Sequence, residues 1–465
     1  MKKSVRSNAL NAPTRPQARF LKPLAAAMLV VSGQAWSAPG LVDIYQMAVL
    51  HDARLAEARA VYEANQQVVD IAKSPLLPQI SVDGGLTKRD SDQKANDVTT
   101  GELGVSLDQS LYNHANWSNY TQANYELKQA EYQIKFAEQD LIVRVADAYF
   151  KVVLAEQDLT LAVANEEADK TQWERAKASA EVGLSSRTDV LQAKSSYDLS
   201  TSNRISAQNE VDKSYDELMK LTGKPVNELK VIALNTQLPD IKLDMTDWET
   251  RAEGDNLEVL QQQESTKVAS EEIEVQKSGY WPQFNLQAGY RNYNYMDTPS
   301  GYSSQYQDRN DLTVGVYASL PLYSGGSTTS LVSQARANYK AATEGLRNAR
   351  ETARLDARVQ VRNVQRGLEL VTANRAAVQS NDAFLEAAEE GYKVGLKSLL
   401  EVLTARTNMF QARRNLAESL HNVVLSRLKL EAVAGSLTPE KLQGYDEILT
   451  NPSQEPMPKL DPMDP

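Results

Sequence analysis

EVGLSSRTDVLQAKSSYD runs from Glu181 to Asp198, and KVGLKSLLEVLTARTN runs from Lys393 to Asn408. Each puts Val-Gly-Leu after a long polar and apolar segment and follows it with Ser, an acidic residue, Val and Leu. Val182-Gly183-Leu184 and Val394-Gly395-Leu396 lie 212 residues apart in a chain of 465. Other echoes keep the same order. KSPLLPQISVDGGL (Lys73 to Leu86) returns as KSGYWPQFNLQAGY (Lys277 to Tyr290), SLYN at Ser110 as PLYS at Pro321, and LTG at Leu221 as VAG at Val433. The offset drifts only from 204 to 212, which marks an internal duplication with small loop insertions.

Each repeat reads as helix, two strands, a very long helix, the Val-Gly-Leu turn and a further helix. The first repeat covers 38–223, with a β-hairpin at 78–112 and long helices at 113–182 and 186–222. A linker at 224–242 follows, where Pro225 and Pro239 interrupt the helical pattern just after Gly223. The second repeat covers 243–435, with a hairpin at 282–323 and long helices at 327–394 and 398–435. Asn113 to Val182 is a run of 70 residues without Gly or Pro. At 1.5 Å per residue that is a rod of about 105 Å, which demands coiled packing against other helices. Val402, Met409, Leu416, Val423 and Leu430 keep strict sevens, and Val190, Tyr197, Arg204, Val211 and Leu218 are their first-repeat counterparts with one polar position. The simplest reading of both stripes is a packed core.

Four shorter segments have the period of two. Ile80, Val82 and Leu86, then Leu103, Val105 and Leu107, then Phe284, Leu286 and Ala288, then Leu312, Val314 and Val316 each alternate with polar or small residues. Strands of about 9–11 residues with one apolar face suit a transmembrane β-barrel; soluble hairpins packed on the helices would show the same alternation. The long polar turns RDSDQKANDVTT and MDTPSGYSSQYQDRND suit extracellular loops, and Tyr290, Tyr293, Tyr295, Tyr302 and Tyr306 are placed to supply an interfacial girdle. Four strands cannot close in lipid, because open edges leave backbone groups unsatisfied. Closure therefore needs several copies, giving eight strands as a dimer or twelve as a trimer.

Composition fits export. Lys2, Lys3, Arg6, Arg15, Arg19 and Lys22 precede the first acidic residue, Asp43, and Leu24 to Val31 is a short apolar core, so residues 1–37 read as a signal peptide. Its removal takes the net charge from −11 to −17, so no nucleic-acid partner is expected. The chain has no Cys, which excludes disulfides, thiolate metal sites and a lipidated N-terminal Cys. Its three histidines, His51, His114 and His421, are scattered, and the sequence holds no P-loop, dinucleotide fingerprint or nucleophile elbow. No enzymatic activity, cofactor or metal is expected. Residues 436–465, rich in Pro and acidic residues, read as a flexible, dispensable tail.

LVDIYQMAVLHDARLAEARAVYEA (Leu41 to Ala64), the two KSxxxPQ strand openings, LPLYSGG (Leu320 to Gly326) and YKVGLKSLLEVLTARTNMFQARRNLA (Tyr392 to Ala417) together resemble the TolC family of outer-membrane channel-tunnels. The resemblance spans roughly residues 40–440 in unbroken order. It implies a fold that is mainly α with β: a homotrimer whose twelve-stranded transmembrane barrel, set in outer-membrane lipids, continues into a long periplasmic α-helical barrel. It further implies an exit duct for type I protein secretion and multidrug efflux. The implied partners are a periplasmic adaptor (membrane fusion) protein and an inner-membrane transporter of the ABC or RND type. Two readings compete with it, a periplasmic adaptor hairpin and a coiled-coil adhesin or spacer. The duplicated strand pairs argue against both.

The repeated turn has a structural and a functional reading. Gly183 and Gly395 suit the left-handed position that ends a helix. Ser186 with Asp189, and Ser398 with Glu401, have the spacing of capping boxes. The turns are also the helix corners farthest from the strands, where symmetry would gather copies of each residue around a narrowing axis. By the resemblance, Glu401 matches an acidic constriction residue, and Tyr392, Lys397, Thr188 and Asp189 match groups that hold the entrance shut. The implied links run from Lys397 and from Tyr392 to Asp189. Two positions depart from the family pattern: Thr404 replaces a second acidic residue and Lys397 replaces an Arg, losing the bidentate fork.

Overall fold

The computed structural model describes residues 38–90, 92, 97–238, 241–296 and 306–450. The proposed signal peptide, Tyr302 and residues 451–465 of the tail lie outside them. Helices α1 (Leu41–His51) and α2 (Ala53–Lys73) lead through a 3-10 turn into strands β1 (Gln79–Arg89) and β2 (Val98–Tyr112). Helices α3 (His114–Glu181) and α4 (Arg187–Thr222) follow, then the short strand β3 (Val231–Ile232). The second repeat runs through α5 (Met245–Asp255), α6 (Leu257–Lys277), β4 (Gln283–Met296), β5 (Arg309–Ser319), α7 (Ser327–Lys393) and α8 (Leu399–Val433). The chain then forms helix α9 (Pro439–Asp446) and strand β6 (Leu449–Thr450).

The helix that opens each repeat is two helices with a one-residue break, where the sequence reads as one. Asp52 ends α1 and caps α2 by accepting from the Leu55 N–H at 2.9 Å. Arg144 on α3 then grips both Asp52 oxygens, at 2.8 and 3.0 Å. That grip holds the Asp52 carboxyl below the ordinary carboxylate range. In the second repeat Asn256 does the same, capping α6 through the Glu258 and Val259 N–H groups.

Helix α3 is 68 residues long, about 100 Å, and forms the spine. It packs on α2 and α6 toward the strands and on α4 and α8 toward the far end; α7 lies beyond α6 and α8. The chain therefore presents α4 and α7 as opposite borders of its helical layer. The heptad stripe of α8 is inside: Val402, Met409, Leu416, Val423 and Leu430 are all buried. In α4 the polar heptad member, Arg204, reaches Glu166 of α3 at 2.7 Å.

Strands β1, β2, β4 and β5 form one antiparallel sheet in the order β1-β2-β4-β5. The register aligns Val82 with Val105, Val105 with Tyr290, and Tyr290 with Leu312, so the apolar positions of all four strands share one face. That face is open, with Ile80, Val82 and Leu86 each 70% exposed and Leu312 74%. Asp83, Ser106, Asp108, Gln287, Arg291 and Thr313 line a concavity on the other face. β1 and β5 are the sheet's borders, each 11 residues long.

Two expectations are corrected here. Pairing places Tyr293 opposite Glu102 and Tyr295 opposite Thr100, so both stand on the polar face, and Tyr306 packs on Tyr295 at 5.6 Å; they do not form a girdle with Tyr290. Exposed aromatic residues gather instead at the helix end of the sheet: Trp117, Tyr280, Trp281 and Tyr323. The tail is not loose up to residue 450, and the linker holds a strand. β6 pairs with β3, Leu449 opposite Ile232. Leu437, Leu442 and Leu449 are buried in a core shared with α1, α3, α4 and α8. Asp446 accepts from the Val42 N–H at 3.3 Å and lies 3.7 Å from the Lys230 ammonium. It sits where a side chain on Gly40 would have to go, 2.1 Å from that Cβ position.

Leu442 is fully buried, so Leu442→Ala should destabilise the protein by about 2–5 kcal/mol. Thermal unfolding followed by helix circular dichroism checks this, and an unshifted transition would restore the dispensable tail.

Candidate gating site at the helix tips

At the end of α3, Gly183 takes φ +77°, and the Leu184 N–H closes back on the Ser179 carbonyl at 2.8 Å. At the end of α7, Gly395 takes φ +78°, and the Leu396 N–H returns to the Gly391 carbonyl at 2.8 Å. Both are left-handed helix stops of the Schellman kind. A Cβ at either glycine would meet open space, so backbone conformation and not crowding demands glycine.

The next helix starts at once in both repeats. Ser186 accepts from the Asp189 N–H at 3.1 Å, and Asp189 accepts from the Ser186 N–H at 2.9 Å and from the Ser185 hydroxyl at 3.2 Å. Ser398 accepts from the Glu401 N–H at 3.3 Å, while Glu401 accepts from the Ser398 N–H at 2.8 Å. Glu401 has a further partner that Asp189 lacks: the Lys397 ammonium, 2.8 Å from its other oxygen. Lys397 and then the Ser398 N–H pull the Glu401 carboxyl down to about 2. The Ser186 N–H lowers that of Asp189. Both carboxylates are exposed and ionised at neutral pH.

Within one chain the implied links to Asp189 are replaced by others. Its carboxylate is taken by the capping box, Lys397 bridges to Glu401, and the Tyr392 hydroxyl accepts from Arg175 of α3 at 3.2 Å. Thr188 is exposed on the first turn of α4, and the Thr404 hydroxyl donates to the Leu400 carbonyl at 2.8 Å. Val182, Leu184, Val394 and Leu396 leave an exposed apolar tip.

Further links between the repeats carry no sequence signal. The Thr407 hydroxyl donates to Asn165 at 2.8 Å, and Arg414 of α8 reaches Asp158 of α3 through two nitrogens at 2.7 and 3.3 Å. The latter partners are 256 residues apart, so no local spacing announces them.

Residues 44–224 and 249–436 match the family model described as outer membrane efflux protein. The chain is 31% identical over 422 residues to outer membrane protein TolC of Vibrio cholerae, across 89% of this chain and 94% of that protein. It is 26% identical to the proteases secretion protein PrtF of Dickeya chrysanthemi, across 89% of this chain and 92% of PrtF. Its fold is similar to that of the Campylobacter jejuni CmeC outer membrane channel, with a TM-score of 0.73 at 16% identity, covering 94% of this chain and 98% of CmeC. The chain belongs to the outer membrane efflux protein family and is an exit duct of the outer membrane.

Proposed function

We propose that three copies close one twelve-stranded barrel in the outer membrane and continue it as a helical tube through the periplasm, with residues 1–37 removed as the export signal. The observation that carries this is the sheet: an exposed apolar face with both borders unpaired among the described residues. In lipid each unsatisfied backbone group costs several kcal/mol, so the borders must pair. β1 and β5 are equally long, and the alternation of strand directions makes them antiparallel neighbours when copies join head to tail. The same joining sets α7 of one copy beside α4 of the next. Tyr392 and Lys397 then face a neighbour's Thr188 and Asp189, which makes the closing links contacts between copies. The three Glu401 carboxylates form an acidic ring that favours cations. The duct is passive and performs no catalysis: an energised inner-membrane transporter, of ABC or RND type, drives cargo, and a periplasmic adaptor docks on the apolar tip. Cargo is small toxic compounds, secreted proteins or both.

Cross-linking in cells should recover an adaptor and an inner-membrane pump with this protein, and recovery of the duct alone would reject the tripartite reading. Val314→Arg puts a charge on the apolar face, at a cost of about 2–4 kcal/mol near the bilayer midplane. It should abolish the heat-modifiable species in outer-membrane fractions, whereas Thr313→Arg, on the polar face, should not. If both assemble equally, the faces are misassigned. Glu401→Gln should lower cation selectivity in planar bilayers. Because the Glu401 carboxyl titrates at about 2, its charge is present above that pH and lost as pH falls through it. The difference in reversal potential between wild type and Glu401→Gln should hold from pH 7 to pH 4. Lys397→Ala releases the largest cause of the shift, so in that background the difference should shrink at higher pH.

A further inference from the structure

We propose that the Asp158–Arg414 pair is a clasp that tethers the two helical hairpins of each copy and limits how far the tip swings open; this rests on the reading of the tip as a gate. The hairpins are α3 with α4 and α7 with α8, and each is stitched internally. Arg204 reaches Glu166 at 2.7 Å and Trp173 stacks on Tyr197 at 5.5 Å in the first. Arg406 reaches Glu389 at 3.0 Å and Arg413 reaches Asp382 at 3.1 Å in the second. Each therefore moves as a unit, and opening is motion of one hairpin against the other.

The seam between them changes character along its length. At mid-height it is apolar: Phe150 of α3 stacks on His421 of α8 at 4.7 Å and 18°, inside the main core. His421 is 2% exposed and neither of its ring nitrogens has a hydrogen-bond partner among the described residues, so it acts there as a flat neutral filler. Toward the tip the apolar packing thins to Ala164 of α3 with Met409 and Phe410 of α8, and polar links join it in order: Asp158–Arg414, Asn165–Thr407 and Arg175–Tyr392. Along α3, at 1.5 Å per residue, these sit about 12, 22 and 37 Å from the Phe150 level. A hairpin swing of about 10° around that level would separate them by about 2, 4 and 6 Å.

Lever length sorts the links. A hydrogen bond to a hydroxyl does not survive a separation of about 4 Å, so the two links nearer the tip break. Arg414 instead holds both Asp158 oxygens with a fork on a long stem, and can follow about 2 Å while keeping one arm. It is also steadied by Glu418 one turn along its own helix. The pair is only part-exposed, with side-chain exposures of 25% for Arg414 and 43% for Asp158. Arg414 and Asp158 are positioning residues: they touch no cargo and set where α8 stands on α3.

The test is planar-bilayer conductance of the purified assembly, with heat-modifiable migration confirming that each variant assembles. Added to Tyr392→Phe with Lys397→Ala, which releases the tip links, Arg414→Gln and Asp158→Asn should each raise mean conductance further, about threefold or more, and the two together should go no further than either one. Arg414→Lys, which keeps the charge but loses the fork, should fall between and serves where a neutral variant does not assemble. Unchanged conductance when either is added to the released tip, or effects that multiply when both are, would overturn the clasp. Tyr392→Phe with Lys397→Ala, run by itself, separates the two failures: if it opens the duct and adding Arg414→Gln opens it no further, the clasp alone is wrong, and if it leaves conductance unchanged the tip gate is wrong as well.

Discussion

An open sheet border is intolerable in hydrocarbon. Water repairs an unpaired N–H or C=O on a soluble protein, but lipid cannot, and a chain with four strands and an outward apolar face has no way to repair its own borders. The proposed head-to-tail joining answers this, because β1 and β5 are different surfaces that complement each other and not themselves. The rest of the molecule inherits that geometry. Each hairpin hands its direction to a long helix, so in the proposed assembly a closed wall of strands continues as a closed wall of helices, with α4 and α7 as the borders that meet between copies.

The duplication is the economical way to line such a wall. Two similar halves supply neighbouring sectors of nearly equal curvature, and their matched tips show how far the likeness extends. Ser186 with Asp189 and Ser398 with Glu401 build the same capping box. The halves part where charge matters. Among the described residues Asp189 is held by serine donors, which lower its carboxyl, whereas Glu401 also carries Lys397, the leading cause that pulls its carboxyl down to about 2. Capping and gating are compatible, since one oxygen of Glu401 serves the helix end and the other answers to the lysine.

Legibility in the sequence followed the range of the interaction. The repeat, the strand phases and the long helices depend on neighbours in sequence, and periods of 2 and 7 carry them openly. The break at Asp52 was hidden because a single capping residue leaves the apolar stripe almost unchanged. The β3–β6 pair was invisible for a different reason: two-residue strands have no period, and their partners lie more than 200 residues apart. The tail's Pro and acidic residues then outweighed Leu437, Leu442 and Leu449, the residues that anchor it. The tyrosines failed through phase. Tyr293 and Tyr295 share parity with Arg291 and so belong to the polar face, a distinction that residue type alone does not make. At the tip, the turns were readable and the links were not, because Arg175–Tyr392, Asn165–Thr407 and Asp158–Arg414 each join one repeat to the other.

The distribution of burial favours the proposed motion at the tip over motion at mid-height. The main core gathers α1, α3, α4, α8, α9 and the β3–β6 pair at the level of Tyr149 and Phe150. There the Tyr149 hydroxyl donates to the Lys230 carbonyl at 2.7 Å, tying the linker to the spine. Toward the tip the buried clusters shrink to Ala164 with Met409 and Phe410, then to Ala388 with Val402 and Ala405. Segments with few buried apolar contacts open at the lowest free-energy cost. A tube built this way holds its mid-height joint fixed and leaves its tip, where polar links and two small buried clusters carry the packing, as the part that opens most readily.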